Sequence, residues 1–253
     1  MKHTWKVAVA VAVLAGSAGV AKADLTLEGQ TGLFLNPTAE IAKKGAPEIS
    51  VSYVRNTDDG YKEKEYGIYG AIQAADRLEL SAGYHHYMND TYDYSGNTWH
   101  IGGKYQILNQ KDKGFDLAAG ADYGRYNESG DSYSENYYLL YLAATKSFQT
   151  SSDRAPIQGT VGLRWDKSTY NDGYPSDSKA SVYAGVQVPV TRTGEVSLIG
   201  ELGSKQYDGG ESIYAIGVRY HPKNTGLSLG VGYGRPWGYG HALFAQVGYA
   251  FGK

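Results

Sequence analysis

Three side chains in one short region have types that could do chemistry together. Glu65, His85 and His100 fall in successive segments of alternating polarity, "KEYGIYGAIQ", "RLELSAGYHHY" and "TWHIGGKYQIL". A three-residue turn at Ala74–Asp76 would set Glu65 opposite His85, and the next hairpin would bring His100 onto the same face. Two imidazoles and a carboxylate are a metal-ligand set or a pH-sensitive cluster. A larger set of charges occupies the polar positions of the same kind of segment. It comprises Glu65, Arg77, Glu79, Lys104, Asp116, Asp122, Arg164, Asp166, Glu201, Lys205 and Arg219, with Glu48 and Lys179 in equivalent places. Acids and bases are about balanced, so these groups either pair or line an aqueous path. The chain has no cysteine, which excludes a thiolate zinc site and a cysteine nucleophile. Ser, His and Asp occur without a nucleophile motif, so the sequence reads as non-enzymatic, and no cofactor motif is present.

The elements that position these residues repeat along the chain. About twelve segments of roughly ten residues, from Pro47 to Phe251, alternate apolar with polar or small residues. Leu78, Leu80, Ala82 and Tyr84 share one face, and Glu79, Ser81 and Gly83 the other. Val161, Leu163 and Trp165 oppose Thr160, Gly162, Arg164 and Asp166. The closing stretch "GHALFAQVGYAFGK" places Leu243, Ala245, Val247, Tyr249 and Phe251 on one oily face. Charges recurring opposite an apolar face describe a sheet with lipid outside and water inside. Short connections ("AAD", "TRTG", "PKNTG") alternate with mostly longer Tyr-, Asp- and Gly-rich ones ("MNDTYDYSGN", "KSTYNDGYPSDS"). The pattern predicts an all-β chain: a transmembrane antiparallel up-and-down β-barrel of about twelve strands, spanning residues 47–253. One segment, residues 136–148 ("NYYLLYLAATKSF"), fits neither register, because one puts leucines inside and the other puts Lys146 outside.

Residues 1–23 read as a cleaved signal peptide. Lys2 and Lys6 precede an apolar stretch, and Ala21–Lys22–Ala23 fits a small-x-small cleavage site. That predicts an outer-membrane protein exported with a mature start near Asp24. The signal holds three of the 24 Lys+Arg and none of the 26 Asp+Glu, so the mature net charge is about −5 and nucleic acid is not an expected partner. Residues 24–46 precede the strands. Pro37 cannot donate to a β-ladder, and Leu33, Phe34 and Leu35 need burial, so this segment is expected in the lumen or at its periplasmic mouth, narrowing it.

A signal peptide, Tyr/Gly-rich alternating strands and an aromatic closing strand resemble bacterial outer-membrane β-barrel proteins across almost the whole mature chain. In that class the closing strand often ends on an aromatic read by the barrel-assembly machinery; here Phe251 is followed by Gly252 and Lys253. The N-terminal "GLFLNPTAEI", through Gly32, Leu33, Pro37, Thr38, Ala39 and then Gly45, resembles the start of YjbH-like outer-membrane proteins associated with exopolysaccharide. The resemblances imply outer-membrane lipid, lipopolysaccharide and the assembly machinery as partners, with small solutes or polysaccharide as cargo. Two functions follow as expectations: porin-like passage of ions or small hydrophilic solutes, with a weak cation preference from the acidic outer loops, or a non-enzymatic accessory of exopolysaccharide export or envelope assembly.

Overall fold

The computed structural model describes residues 24–58, 61–131, 133–171 and 175–252. The expected signal peptide lies outside the described residues. Twelve strands close into a barrel in which each strand pairs antiparallel with its chain neighbour and β1 pairs with β12. The strands are β1 (Glu48–Asp58), β2 (Tyr61–Ala75), β3 (Leu78–Asn89), β4 (Tyr94–Leu108), β5 (Asp116–Glu128) and β6 (Ser134–Phe148), then β7 (Ile157–Tyr170), β8 (Asp177–Pro189), β9 (Val196–Gly203), β10 (Ile213–Tyr220), β11 (Leu227–Arg235) and β12 (His241–Ala250). A single helical turn, α1 (Gln110–Lys113), sits between β4 and β5; Asn109 caps it and Gly114 ends it in the left-handed conformation. Closure leaves no sheet edge, which is how β-structure meets the backbone's hydrogen-bonding demand in lipid.

Period-two alternation decides which side chains face out. Leu80, Ile101, Leu140, Leu163, Leu202, Ile216 and Leu243 stand exposed on the outer wall, while their neighbours Glu79, His100, Leu139, Arg164, Glu201, Ala215 and Ala242 are buried inside. Aromatic side chains flank this apolar band. Toward the hairpin loops, Tyr53 packs on Tyr66, and Tyr123 packs between Trp99 and Tyr138. Toward the end that carries both barrel termini stand Tyr105, Phe115, Phe148, Tyr220 and Phe251. An exposed apolar belt between two aromatic girdles is the surface of a membrane-spanning barrel.

Two expectations about the strands need correction. The longer Tyr-rich connections are largely absorbed into strands: β2, β4 and β6 each run 15 residues, and only residues 90–93 separate β3 from β4. Tyr, Ser, Thr and Asn pair well on a pleated surface, so the wall continues beyond the apolar band. The β2–β3 connection is a two-residue turn with a register shift between Gln73 and Ala75, and it sets Glu65 opposite Tyr87, with His85 opposite Gly67. The ambiguous segment resolves in β6. Leu139, Tyr141, Ala143 and Thr145 face inward, while Leu140, Leu142 and Lys146 face outward. Lys146 lies 5.5 Å from the Phe148 ring center at the terminal end, within reach of the interface. The inward apolar residues are possible because the lumen there is packed, not wet.

Candidate functional site: a filled lumen between two cavities

Residues 24–42 occupy the barrel interior, and Lys43–Gly45, exposed, lead back to the wall. Leu25, Leu33, Phe34 and Leu35 are buried, as are Thr26, Gln30, Thr31, Asn36 and Thr38. Two isolated bridges, Leu25↔Thr31 and Gly32↔Pro37, fold this segment, hereafter the plug, into a double reversal. The apolar side of the plug (Leu27, Leu33, Phe34, Leu35) packs on Val54, Ile199, Ala215, Ala242 and Phe244. Phe34 meets Phe244 edge-on at 5.0 Å. Its seat is cut by glycine: a Cβ at Gly217 or Gly230 would stand 2.7 or 2.8 Å from the Phe34 ring. Ala39 nests among Ala118, Leu139, Tyr141, Ala143 and Tyr183, which accounts for the apolar inner face of β6.

The polar side of the plug is held by charged side chains of the wall. Glu201 accepts from three successive main-chain N–H groups, Phe34 (2.7 Å), Leu35 (3.0 Å) and Asn36 (3.0 Å), and from the Asn36 side-chain amide (3.0 Å). Three consecutive N–H groups aimed at one anion form a nest. Glu79 accepts from the Thr31 main chain (3.0 Å) and hydroxyl (2.6 Å) and from the Ala42 N–H (2.6 Å). Lys104, 3.4 Å from Glu79, donates to the Thr31 carbonyl at 2.8 Å. Arg219 donates to the carbonyls of Gly32 (3.1 Å) and Leu33 (3.0 Å) and lies 4.8 Å over the Phe34 ring. Tyr183 donates to the Pro37 carbonyl, Thr145 accepts from the Ala39 N–H, and Asp122 accepts from the Gln30 amide. Buried charges are tolerated only when hydrogen-bonded in this way.

The residues expected to line a path therefore divide. Glu79, Lys104, Asp122, Glu201 and Arg219 grip the plug. Arg164 forms a fork with Asp166, at 2.6 and 2.9 Å, and reaches Glu28 of the plug at 3.8 Å. Asp116 accepts from the Gln110 N–H at the start of α1, at the terminal mouth. Glu65 faces the cavity at the other end. Two placements are corrections. Arg77 is an exposed residue of the β2–β3 turn, with φ of 62°, donating to the Ile107 carbonyl. Lys205 is exposed beyond the end of β9 at Gly203. In both cases the alternation was carried past the last paired residue. Leu33, Phe34 and Leu35 do lie within the lumen.

Glu65, His85 and His100 come together, each imidazole against a carboxylate. His85 Nδ1 is 2.6 Å from Glu65, and its ring lies 5.3 Å from that of His100. His100 Nδ1 instead faces Asp122 at 3.3 Å. Each imidazole is committed to its own carboxylate, and among the described residues no group of three or more His, Asp or Glu is placed to hold a metal ion.

Sequence reasoning passed over the glycines that pave the inner wall. Gly83 lies opposite His100, Gly120 opposite Tyr141, Gly124 opposite Tyr137 and Gly162 opposite Tyr183. In each pair the ring lies where a glycine Cβ would be. The signal was present as inward-parity Gly facing an aromatic on the next strand, but reading it requires the register.

On either side of the plug is a cavity. One, of about 400 Å³ toward the hairpin loops, is lined by Glu28, Glu65, Asp122, Glu135, Asp166, Arg164 and Lys167 among Tyr87, Tyr126, Tyr137, Trp237 and Tyr239. The other, of about 770 Å³ at the terminal end, is lined by Asp24, Thr31, Glu40, Lys43, Lys44, Glu48, Gln106 and Asp116. The two have no lining residue in common. Burial raises the carboxyl of Glu28 above the usual range, with Arg164 working against it, and burial beside Asp24 does the same to Glu40.

A closed antiparallel barrel with an apolar exterior and a charged interior defines the class of bacterial outer-membrane β-barrels. No protein-family model matches the chain, and no curated protein matches it significantly in sequence. Solved structures do. The β domain of the Bordetella autotransporter BrkA is similar at 14% identity and a TM-score of 0.55, over 83% of this chain and all of that one. An outer membrane channel from Pseudomonas putida F1 is similar at 16% identity and 0.53, over 84% and 98%. The KdgM porin is similar at 15% identity and 0.50, over 80% and 99%. At these identities the likeness establishes the fold.

Proposed function

We propose that the protein is a plugged channel of the outer membrane, passing ions or small hydrophilic solutes when residues 24–46 loosen. The observation that carries this reading is how the plug is held. It has no covalent tie to the wall other than its own chain, and its anchors are ionisable groups that water can replace. The hairpin-loop end faces outward in this reading, and the terminal end faces the periplasm. Five carboxylates against Arg164 and Lys167 in the outer cavity favour cations at the mouth. Planar-bilayer recordings compare the mature protein with a variant lacking residues 25–45. The mature protein should show small, infrequent openings, and the deletion a larger, cation-preferring conductance.

The second reading is an accessory of exopolysaccharide export, which the resemblance of the N-terminal segment to YjbH-like proteins would imply and which a filled lumen favours. It predicts that the deletion variant assembles without conducting and that a polysaccharide phenotype is lost.

A further inference from the structure

We propose that removal of the signal peptide between Ala23 and Asp24 creates an α-ammonium that pairs with Glu48, and that this ion pair locks the plug in the lumen. Glu48, the first residue of β1, is 4% exposed, and its Oε2 has no hydrogen-bond partner. The main-chain nitrogen of Asp24 already donates to this same carboxylate. As part of a peptide bond that nitrogen is neutral and carries a single hydrogen, too few for both oxygens of a buried anion. Hydrolysis by a signal peptidase supplies what is missing. Water adds across the Ala23–Asp24 amide, Ala23 departs as a carboxylate with the signal, and the Asp24 nitrogen becomes a primary amine that takes up a proton. The resulting group has three donors and one positive charge.

The surroundings call for that charge. Asp24, Glu40 and Glu48 line the terminal cavity, and the buried carboxylate of Glu79 adds its charge to the field at Glu48. Three of the neighbouring basic side chains are committed elsewhere, and Lys43 and Lys44, which also line the cavity, are exposed. Lys104 serves Glu79 and the plug carbonyls. His221 and Arg219 hold the Asp24 side chain, at 2.6 and 3.4 Å. These two contacts fix Asp24 on one side while Glu48 takes its nitrogen on the other, so the first mature residue is clamped by its main chain and its side chain together. The cleavage motif Ala21–Lys22–Ala23 places the new terminus at the residue whose main-chain nitrogen meets Glu48. Before cleavage the lock is a neutral hydrogen bond; after it, a buried ion pair. Closing of the lumen is in this way coupled to completed export.

The test uses the mature protein extracted from membranes. Intact mass should place its first residue at Asp24. Acylation of the α-amine near pH 7, read by mass spectrometry of the N-terminal peptide, should be about tenfold slower or more in the folded protein than after unfolding, since below its own pKa each unit of raised amine pKa removes nearly tenfold of the reactive free base. Glu48→Gln should abolish that protection and speed amide hydrogen exchange across residues 25–36. Should Glu48→Gln fail to assemble, Gly-Ser inserted between Ala23 and Asp24 decides, because it keeps Glu48 and displaces only the ammonium; it should lose the same protection. A mature terminus elsewhere than Asp24, equal labelling in the folded and unfolded states, or an insertion variant as protected as the parent would overturn the proposal. All three readouts are independent of whether the barrel conducts.

Discussion

Replacing Glu201 by alanine removes the acceptor for three consecutive main-chain N–H groups and the Asn36 amide. All of these donors are buried; Phe34 and Asn36 are 0% exposed. Hydrogen bonds to a charged partner contribute about 1.5–3 kcal/mol each, and a buried donor left unsatisfied costs about 1–3 kcal/mol. Four such losses do not simply add. The variant also escapes the cost of burying the carboxylate, and water can enter from the cavity beside Leu35. Removing one partner of a buried charged interaction typically costs about 3–5 kcal/mol, and that is the expected loss of plug docking. It corresponds to a rise of roughly two to three and a half orders of magnitude in the undocked fraction. Hydrogen exchange of residues 33–36 should accelerate by that factor, while the β9–β10 ladder keeps its protection. Single-channel openings should become frequent. Glu201→Gln keeps one acceptor oxygen but points an NH2 at a donor, and should fall between the two. If Glu201→Ala leaves exchange at Phe34, Leu35 and Asn36 unchanged, the nest does not hold the plug and the reasoning fails.

Other outcomes follow from the same geometry. Arg219→Lys should loosen the plug less than Arg219→Ala but not match the parent, because an ammonium cannot fork to two carbonyls and stack on Phe34; exchange at Gly32 and Leu33 reports it. Gly162→Ala puts a methyl group where the Tyr183 ring lies, and should lower barrel stability by about 1–3 kcal/mol in a heat-shift assay while freeing the Pro37 carbonyl. Leu163→Arg on the outer wall should cost about 2–4 kcal/mol in lipid, whereas Gln158→Glu, inward on the same strand, should cost far less. The carboxyls of Glu28 and Glu40 are raised by burial in the folded state, so their contribution to stability is fully present below the ordinary carboxyl range and is lost as pH rises through the raised values. These two groups should therefore loosen the plug as pH rises into the alkaline range, with exchange corrected for intrinsic rate increasing there, and Glu28→Gln with Glu40→Gln should flatten that limb of the profile.

The strand ladder was legible because a barrel wall has one solvent per face. Lipid demands Leu163 and Leu202 on one side, water or ion partners allow Arg164 and Glu201 on the other, and the two-residue period exposes both. The same period gave no stop signal, so Arg77 and Lys205 were carried inward from turns where no neighbour constrains them. Register was not legible. The turn falls at Asp76–Arg77 rather than Ala74–Asp76, and the one-residue shift between Gln73 and Ala75 leaves Glu65 two residues from its expected partner; nothing in the local composition marks either. β6 was ambiguous because its inner face meets the plug rather than water, and Leu139 is buried against a segment remote in sequence. The burial demand of Leu33, Phe34 and Leu35 did point inward. Their anchors could not be found, because a nest is made of main-chain groups that every sequence possesses.

The plug joins the wall through a tether of only a few residues, Lys43 to Pro47. It is thus an intramolecular ligand, and its local concentration at its own seat is of millimolar order. A free peptide copying residues 24–42 would have to be supplied at comparable concentration to hold the seat of a plug-deleted barrel as well as the native segment does. A solute competing for Glu201 or Arg219 faces the same handicap, since each displaced plug is returned by its tether long before it diffuses away. Occupancy of the lumen is consequently indifferent to protein concentration, and anything that lengthens the tether should weaken closure gradually, as a power of its length, without touching a single contact in the seat.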